Sequence, residues 1–111
     1  MALEITVKAE GTDPILELSG KIVDVDVKKF QHKMDHLYKN KELGRVVVDV
    51  TRADFIDSHG LGVIVYFHTL LQKEKRTLVI LNANPDNNSY LNRLFEVTNL
   101  DKVLNIVSKI N

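Results

Sequence analysis

The stretch that decides the fold reads Arg45-Val46-Val47-Val48-Asp49-Val50 and then, after a short loop ending in Phe55-Ile56, Asp57-Ser58-His59-Gly60-Leu61-Gly62. The nearly continuous β-branched run Val46, Val47, Val48 and Val50 is the pattern of a strand buried on both faces in the middle of a sheet. The hexapeptide opens a long apolar helix, expected to start near Leu61 and to carry Leu61, Ile64, Val65, Phe67, His68, Leu70 and Leu71. Ser58 therefore falls where a helix N-terminus offers unpaired backbone N–H groups and the positive end of the helix dipole. Such a place suits a phosphate.

Working outward, residues 3–9 alternate, with Leu3, Ile5 and Val7 against Glu4, Thr6 and Lys8, as in a half-buried strand. Gly11-Thr12-Asp13-Pro14 reads as a turn. Ile15, Leu16 and Leu18 give a second strand, ended by Gly20, that forms a hairpin with the first. Asp24 or Asp26 reads as the start of a helix whose apolar face is Val27, Phe30, Met34 and Leu37, running to about Lys39. Beyond the central helix, Thr77 to Leu81 is a further buried strand and Asn82-Ala83-Asn84-Pro85 breaks it. Leu91, Leu94 and Phe95 mark a short third helix, with Asn99 placed to end it in a left-handed conformation. Leu100 to Val103 is a helical turn, and Leu104 to Val107 a last short strand.

The expected order is β-β-α-β-α-β-α-β. Strands separated by helices imply parallel neighbours joined by right-handed crossovers, while the opening hairpin makes the sheet mixed. The expectation is a single α/β domain over residues 1–111.

The composition, 44% hydrophobic and 27% charged, permits a core without staples, and the absence of cysteine excludes disulfides, thiolate metal sites and a cysteine nucleophile. With 15 basic and 15 acidic residues the formal net charge is zero, which argues against nucleic acid as a partner. The longest basic cluster, Lys73 to Arg76, includes Glu74 and reads as a solvated helix end. No apolar run approaches a membrane span, and Met1-Ala2-Leu3-Glu4 lacks the basic region of a signal peptide, so a cytoplasmic protein without membrane insertion is expected.

Ser58 has two readings. One is a phosphoacceptor, whose added charge Asp57 beside it would oppose. The other is an ordinary helix N-cap, which stabilises a helix by about 1 kcal/mol. Gly60 and Gly62 bear on the choice, because each glycine in a helix costs roughly 1 kcal/mol relative to alanine. Tight packing on the Val46 strand or approach by a partner would account for them. Asp57-Ser58-His59 holds the residue types of a hydrolytic triad, but consecutive residues in a turn cannot align base on nucleophile. Nor is Ser58 flanked by the glycines of a nucleophile elbow. Gly60-x-Gly62 lacks the third glycine of a dinucleotide fingerprint, and no Gly-Lys-Ser/Thr makes it a phosphate loop. His32 and His36 lie one helical turn apart without a convincing third metal ligand, so solvated side chains are expected. His68 reads as a half-buried structural histidine. Asp49, Asp54 and Asp57 read as acidic residues flanking a strand end. No catalytic group, metal site or cofactor is indicated.

The segment from Val46 to Ile64, above all Phe55, Ile56, Asp57, Ser58, Gly60, Leu61 and Gly62, resembles the signature of the STAS domain. More narrowly it resembles the bacterial anti-sigma factor antagonists, in which a Val/Leu-rich strand ends Asp-x-Ser/Thr and Phe-Ile/Met-Asp-Ser-Ser/Ala-Gly-Leu-Gly follows. Ser19-Gly20, Leu78 to Leu81, and Leu91 to Val103 extend the likeness over essentially the whole chain. The resemblance implies that Ser58 is phosphorylated by an anti-sigma factor that is also a serine kinase. The unphosphorylated antagonist binds that kinase and frees the sigma factor; phosphorylation weakens binding, and a metal-dependent serine/threonine phosphatase restores it. Asp57, Ser58, His59, Gly60, Leu61 and Gly62 would form the docking surface. Two positions depart from the pattern. His59 stands where the family has Ser, Ala or Thr. Val23 stands where an early Asp contributes to kinase docking, leaving Asp24 and Asp26 nearest, so Asp24 joins the expected surface. The alternative is a STAS-type scaffold or regulatory subunit with a non-sigma partner: a stress-signalling complex, a lipid-transport assembly or a transporter. A small enzyme or nucleotide-binding domain would need a convergent polar pocket that the sequence does not present.

Overall fold

The computed structural model describes residues 3–10, 13–83 and 89–110. Of the expected turn Gly11-Thr12-Asp13-Pro14, Gly11 and Thr12 lie outside them, while Asp13 and Pro14 are already paired strand residues, opposite Glu10 and Ala9; Asn84-Pro85 of the expected strand break also lie outside. Elements follow the expected order: β1 (Glu4–Glu10), β2 (Asp13–Ile22), α1 (Val25–Lys39), β3 (Arg45–Ile56), α2 (Ser58–Lys73), β4 (Thr77–Leu81), α3 (Ser89–Val97), a 3-10 turn (Leu100–Lys102) and β5 (Asn105–Val107). They form one five-stranded sheet in the order β1-β2-β3-β4-β5. The β1–β2 pair is antiparallel and the rest are parallel.

β3 is the central strand, and its valines face two ways. Val46, Val48 and Val50 join the main core with Leu16 and Leu18 of β2 and Leu78 and Ile80 of β4. All three helices pack into that core, through Val27, Phe30 and Met34 of α1, Ile64, Phe67 and Leu71 of α2, and Leu91 and Phe95 of α3. Val47 points to the opposite face, where it packs with Ile15, Val79 and Leu81. Period-two alternation along a strand requires this division. The helices bury the apolar faces read from spacing, and Asn99 takes the expected left-handed conformation, with φ 60°.

Three boundaries differ from expectation. β2 does not end at Gly20; it runs on to Ile22, with Gly20 at φ 98°, a conformation that glycine adopts without a Cβ penalty. β3 does not give way to a loop before Phe55-Ile56; it continues through Ile56, so Asp49 and Asp54 lie within a strand and not at its flank. Two bulges make this possible. Glu17 and Ser19 of β2 oppose Asp49 and Arg52, and Gly20 and Lys21 oppose Ala53 and Phe55, so β3 carries one extra residue at each shift. Each bulge reverses the alternation. Val50, Ala53 and Ile56 therefore all face the core. Lastly, α2 starts at Ser58 and not near Leu61, because Asp57 caps it.

Candidate functional site

Asp57 organises the start of α2. Its backbone is extended, with φ −86° and ψ 177°. Its Oδ1 accepts from the Gly60 N–H at 2.8 Å, the bond of an N-cap. Its Oδ2 accepts from the Asp24 N–H at 3.3 Å, and its own N–H donates to the Ile22 carbonyl at 3.1 Å. One residue thus ties the end of β2, the β2–α1 turn and the first turn of α2 together. Asp24 needs such a tie, because its φ of 52° is one that side-chain-bearing residues avoid, at a cost of order 1–3 kcal/mol. The structure therefore brings Asp24 to Asp57 through its backbone.

Ser58 is the first residue of the helix and not its cap. It is exposed, and no hydrogen bond engages its hydroxyl among the described residues. Helix geometry leaves its backbone N–H and that of His59 without intrahelical acceptors. His59 is exposed beside it, and Leu61 is partly buried against the core.

The two glycines separate cleanly. A Cβ on Gly60 would lie 2.7 Å from Ile56 Cγ1 and 3.0 Å from Ile22 Cγ2, so the first turn of α2 sits directly on the ends of β2 and β3. The bulge that turns Ile56 toward the core creates this close approach. A Cβ on Gly62 would meet nothing within 4 Å. Packing on the central strand therefore explains Gly60 and not Gly62.

Gly62 opens into a groove of about 390 Å³ between α1 and α2, lined by Gln31, Ser58, His59, Gly62, Val63 and Tyr66. Tyr66 is 56% exposed. Its spacing from Ser58 was the available signal: Ser58, Gly62 and Tyr66 recur every four residues and so share one helix face. An apolar pattern around most of α2 obscured that face in the sequence.

Other candidates lie elsewhere. His68 is buried and not half-buried, with its Nδ1 lacking a partner. Among the described residues, no group of three or more His, Asp or Glu side chains stands close enough to hold a metal ion. Asp49 Oδ1 accepts from the Thr51 N–H at 2.9 Å, a local backbone bond. The Lys73–Arg76 cluster is not wholly solvated: Arg76 is only 8% exposed and reaches back to the end of α1.

A mixed sheet with its helices on one face and an uncommitted serine after a capping aspartate defines the class. The chain belongs to the STAS domain family, whose model matches residues 4–111. Within it, the chain is similar to the anti-sigma-B factor antagonist of Listeria monocytogenes, 30% identical over 107 residues, 96% of this chain and 90% of that protein. A crystal structure of a putative anti-sigma factor antagonist from Thermotoga maritima superposes with a TM-score of 0.81 at 21% identity, covering 96% of this chain and 87% of that one. The phosphorylated form of the Bacillus cell fate determinant SpoIIAA superposes with a TM-score of 0.70 at 16% identity, covering 97% and 93%. At these identities the structural likeness is one of fold. Among the described residues no helix is long and apolar enough to cross a membrane.

Proposed function

We propose that the protein is an anti-sigma factor antagonist, a regulator without catalytic activity of its own. It docks on an anti-sigma factor serine kinase through Asp24, Asp57 and the first turns of α2, and so frees the sigma factor in the cytoplasm. Phosphorylation of Ser58 by that kinase switches it off, and a serine/threonine phosphatase restores it. The observation that carries this reading is the exposed, unbonded Ser58 hydroxyl next to a carboxylate already committed to two backbone N–H groups. Because Asp57 is held in place, it cannot swing away from a new anion. A phosphate there adds about −1.5 to −2 charges beside it, together with the bulk of three oxygens, to a surface otherwise fitted to a hydroxyl. The similarity to the Listeria antagonist supplies the partner class.

The test is capture of partners from native lysate on wild-type and Ser58→Asp baits, with affinities measured on the purified partner. A kinase bound by wild type should bind Ser58→Asp and the phosphoprotein at least tenfold more weakly. Equal affinity for all three would end the switch, and the same non-kinase protein on both baits would favour a scaffold.

A further inference from the structure

We infer that β1 is a self-association edge, along which a second copy of this chain pairs antiparallel about a twofold axis centred on Thr6. The inference does not depend on the antagonist reading above. Among the described residues, β1 and β5 are the two edges of the sheet. β5 is blunted by its length of three residues, whereas β1 has seven and pairs with β2 without a register shift. A long, regular edge presents a row of backbone N–H and C=O groups on which another strand can form.

The residues of β1 indicate which strand that is. Ile5 and Val7 stand opposite Leu18 and Leu16, on the face that the helices cover. Glu4, Thr6 and Lys8 alternate with them and lie on the helix-free face, where Lys8 stands opposite Ile15. All three are exposed. Charges on an edge strand commonly prevent pairing. Here their spacing makes the strand complementary to itself. In an antiparallel pair centred on Thr6, Glu4 faces Lys8 of the second copy and Lys8 faces its Glu4, with threonine against threonine between them. Opposite charges at facing positions favour a sheet pair and like charges disfavour it. Centring the pair on Glu4 or on Lys8 would set like charges together. Centring it on Ile5 or Val7 would leave neither Glu4 nor Lys8 facing an opposite charge. The helix-covered face fits the same register. Val7, 48% exposed, would face Ile5 of the second copy, so that Leu16 and Val7 continue into Ile5 and Leu18 across the axis as one apolar row. Lys8 already meets Glu17 at 3.1 Å, and its ammonium has donors left for a second carboxylate.

The chain has no cysteine, so Thr6→Cys places a single thiol on the axis. Facing Cα atoms of an antiparallel pair lie about 4.5–5.5 Å apart, within disulfide reach. Mild oxidation should link Thr6→Cys into a covalent dimer. Glu4→Cys, whose two copies would lie about 14 Å apart, should stay a single chain. Sedimentation equilibrium supplies the second arm. Wild type should dimerise reversibly, and Glu4→Lys and Lys8→Glu, both at exposed positions, should each self-associate at least tenfold more weakly. An equimolar mixture of these two variants sets opposite charges face to face again and should recover wild-type association. A wild type that stays monomeric up to millimolar concentration, a Thr6→Cys that does not link, or a mixture that associates no better than its components would overturn the inference. None of these results bears on docking through Ser58.

Discussion

The two ends of α2 are built on opposite plans. At the C-terminal end Arg76 and Glu74 engage their polar atoms within the fold. Arg76 donates to the carbonyls of Leu43 at 2.7 Å, Asn40 at 2.9 Å and Tyr38 at 3.0 Å, and to Glu74 Oε1 at 2.8 Å. Glu74 Oε2 accepts from the Tyr38 hydroxyl at 2.7 Å and from Lys41 at 2.8 Å, while Lys41 lies 4.2 Å above the Tyr38 ring. Carbonyls at the exit of α1, which a helix cannot satisfy by itself, are thereby closed off. At the N-terminal end the chain leaves a hydroxyl unbonded, a helix glycine uncovered and Asp24 in a disfavoured conformation held by one side chain. The contrast lies in side-chain polar groups and not in backbone strain, since Lys75 at the closed end also has a positive φ, 60°. The closed end ties the exit of α2 to the exit of α1 and the start of β4.

If that division is real, damage to the closed end should lower stability without touching docking. Arg76→Met removes the donors of three carbonyls from a site where the guanidinium side chain is 7% exposed. We expect a loss of about 3 kcal/mol in urea unfolding, with partner affinity of the folded protein unchanged within twofold. Weakened docking by fully folded Arg76→Met would break the comparison. Gly60→Ala should do both kinds of damage. Its methyl meets Ile22 Cγ2 and two Ile56 atoms at 2.7–3.2 Å, and Cγ2 is fixed to a β-branched carbon that cannot rotate clear. A cost of about 2 kcal/mol is expected, together with weaker kinase binding as the first turn of α2 lifts from the sheet. A neutral Gly60→Ala would show that this turn floats above the strands.

The sequence displayed the layers of the fold more fully than their junctions. Val46 to Val50 and the face Val27, Phe30, Met34 are repeating patterns, and repeating patterns identify strands and helices. The candidate site stood out as a motif, since Asp57-Ser58 and the two glycines stand together. Three things were not. The helix start moved from Leu61 to Ser58 because capping by Asp57 depends on a bond to Gly60 and not on periodicity. The β3 bulges are set by pairing with β2, and one strand's residues do not reveal two-against-three opposition. Arg76 looked like part of a solvated basic cluster because its acceptors lie more than 30 residues away, at Tyr38, Asn40 and Leu43. The same long-range geometry gives Gly60 a packing reason that Gly62 lacks, although the two are indistinguishable by type.

The smallest expected effect sharpens the comparison through pH. The hydrogen bonds from Lys41, Tyr38 and Arg76 pull the Glu74 carboxyl from an ordinary 4.5 to about 2. The same pairing, led by the Glu74 hydrogen bond, raises Lys41 above its ordinary 10.5. A carboxyl depressed in the folded state stabilises at pH values above its unfolded pKa, and that contribution is lost as pH falls through the folded value. The Tm difference between wild type and Glu74→Gln should therefore be steady near neutral pH and shrink as pH drops from 4.5 toward 2. Because these groups are partly solvated, the difference should also shrink in high salt. A gap that does not vary with pH would mean that Glu74 acts through packing and not through charge. Docking at neutral pH should be unaffected by the substitution, since the 16 residues of α2 put about 24 Å of helix between Glu74 and Ser58. A Glu74→Gln effect on kinase affinity would reveal coupling along α2, and the two ends could then no longer be treated as separate.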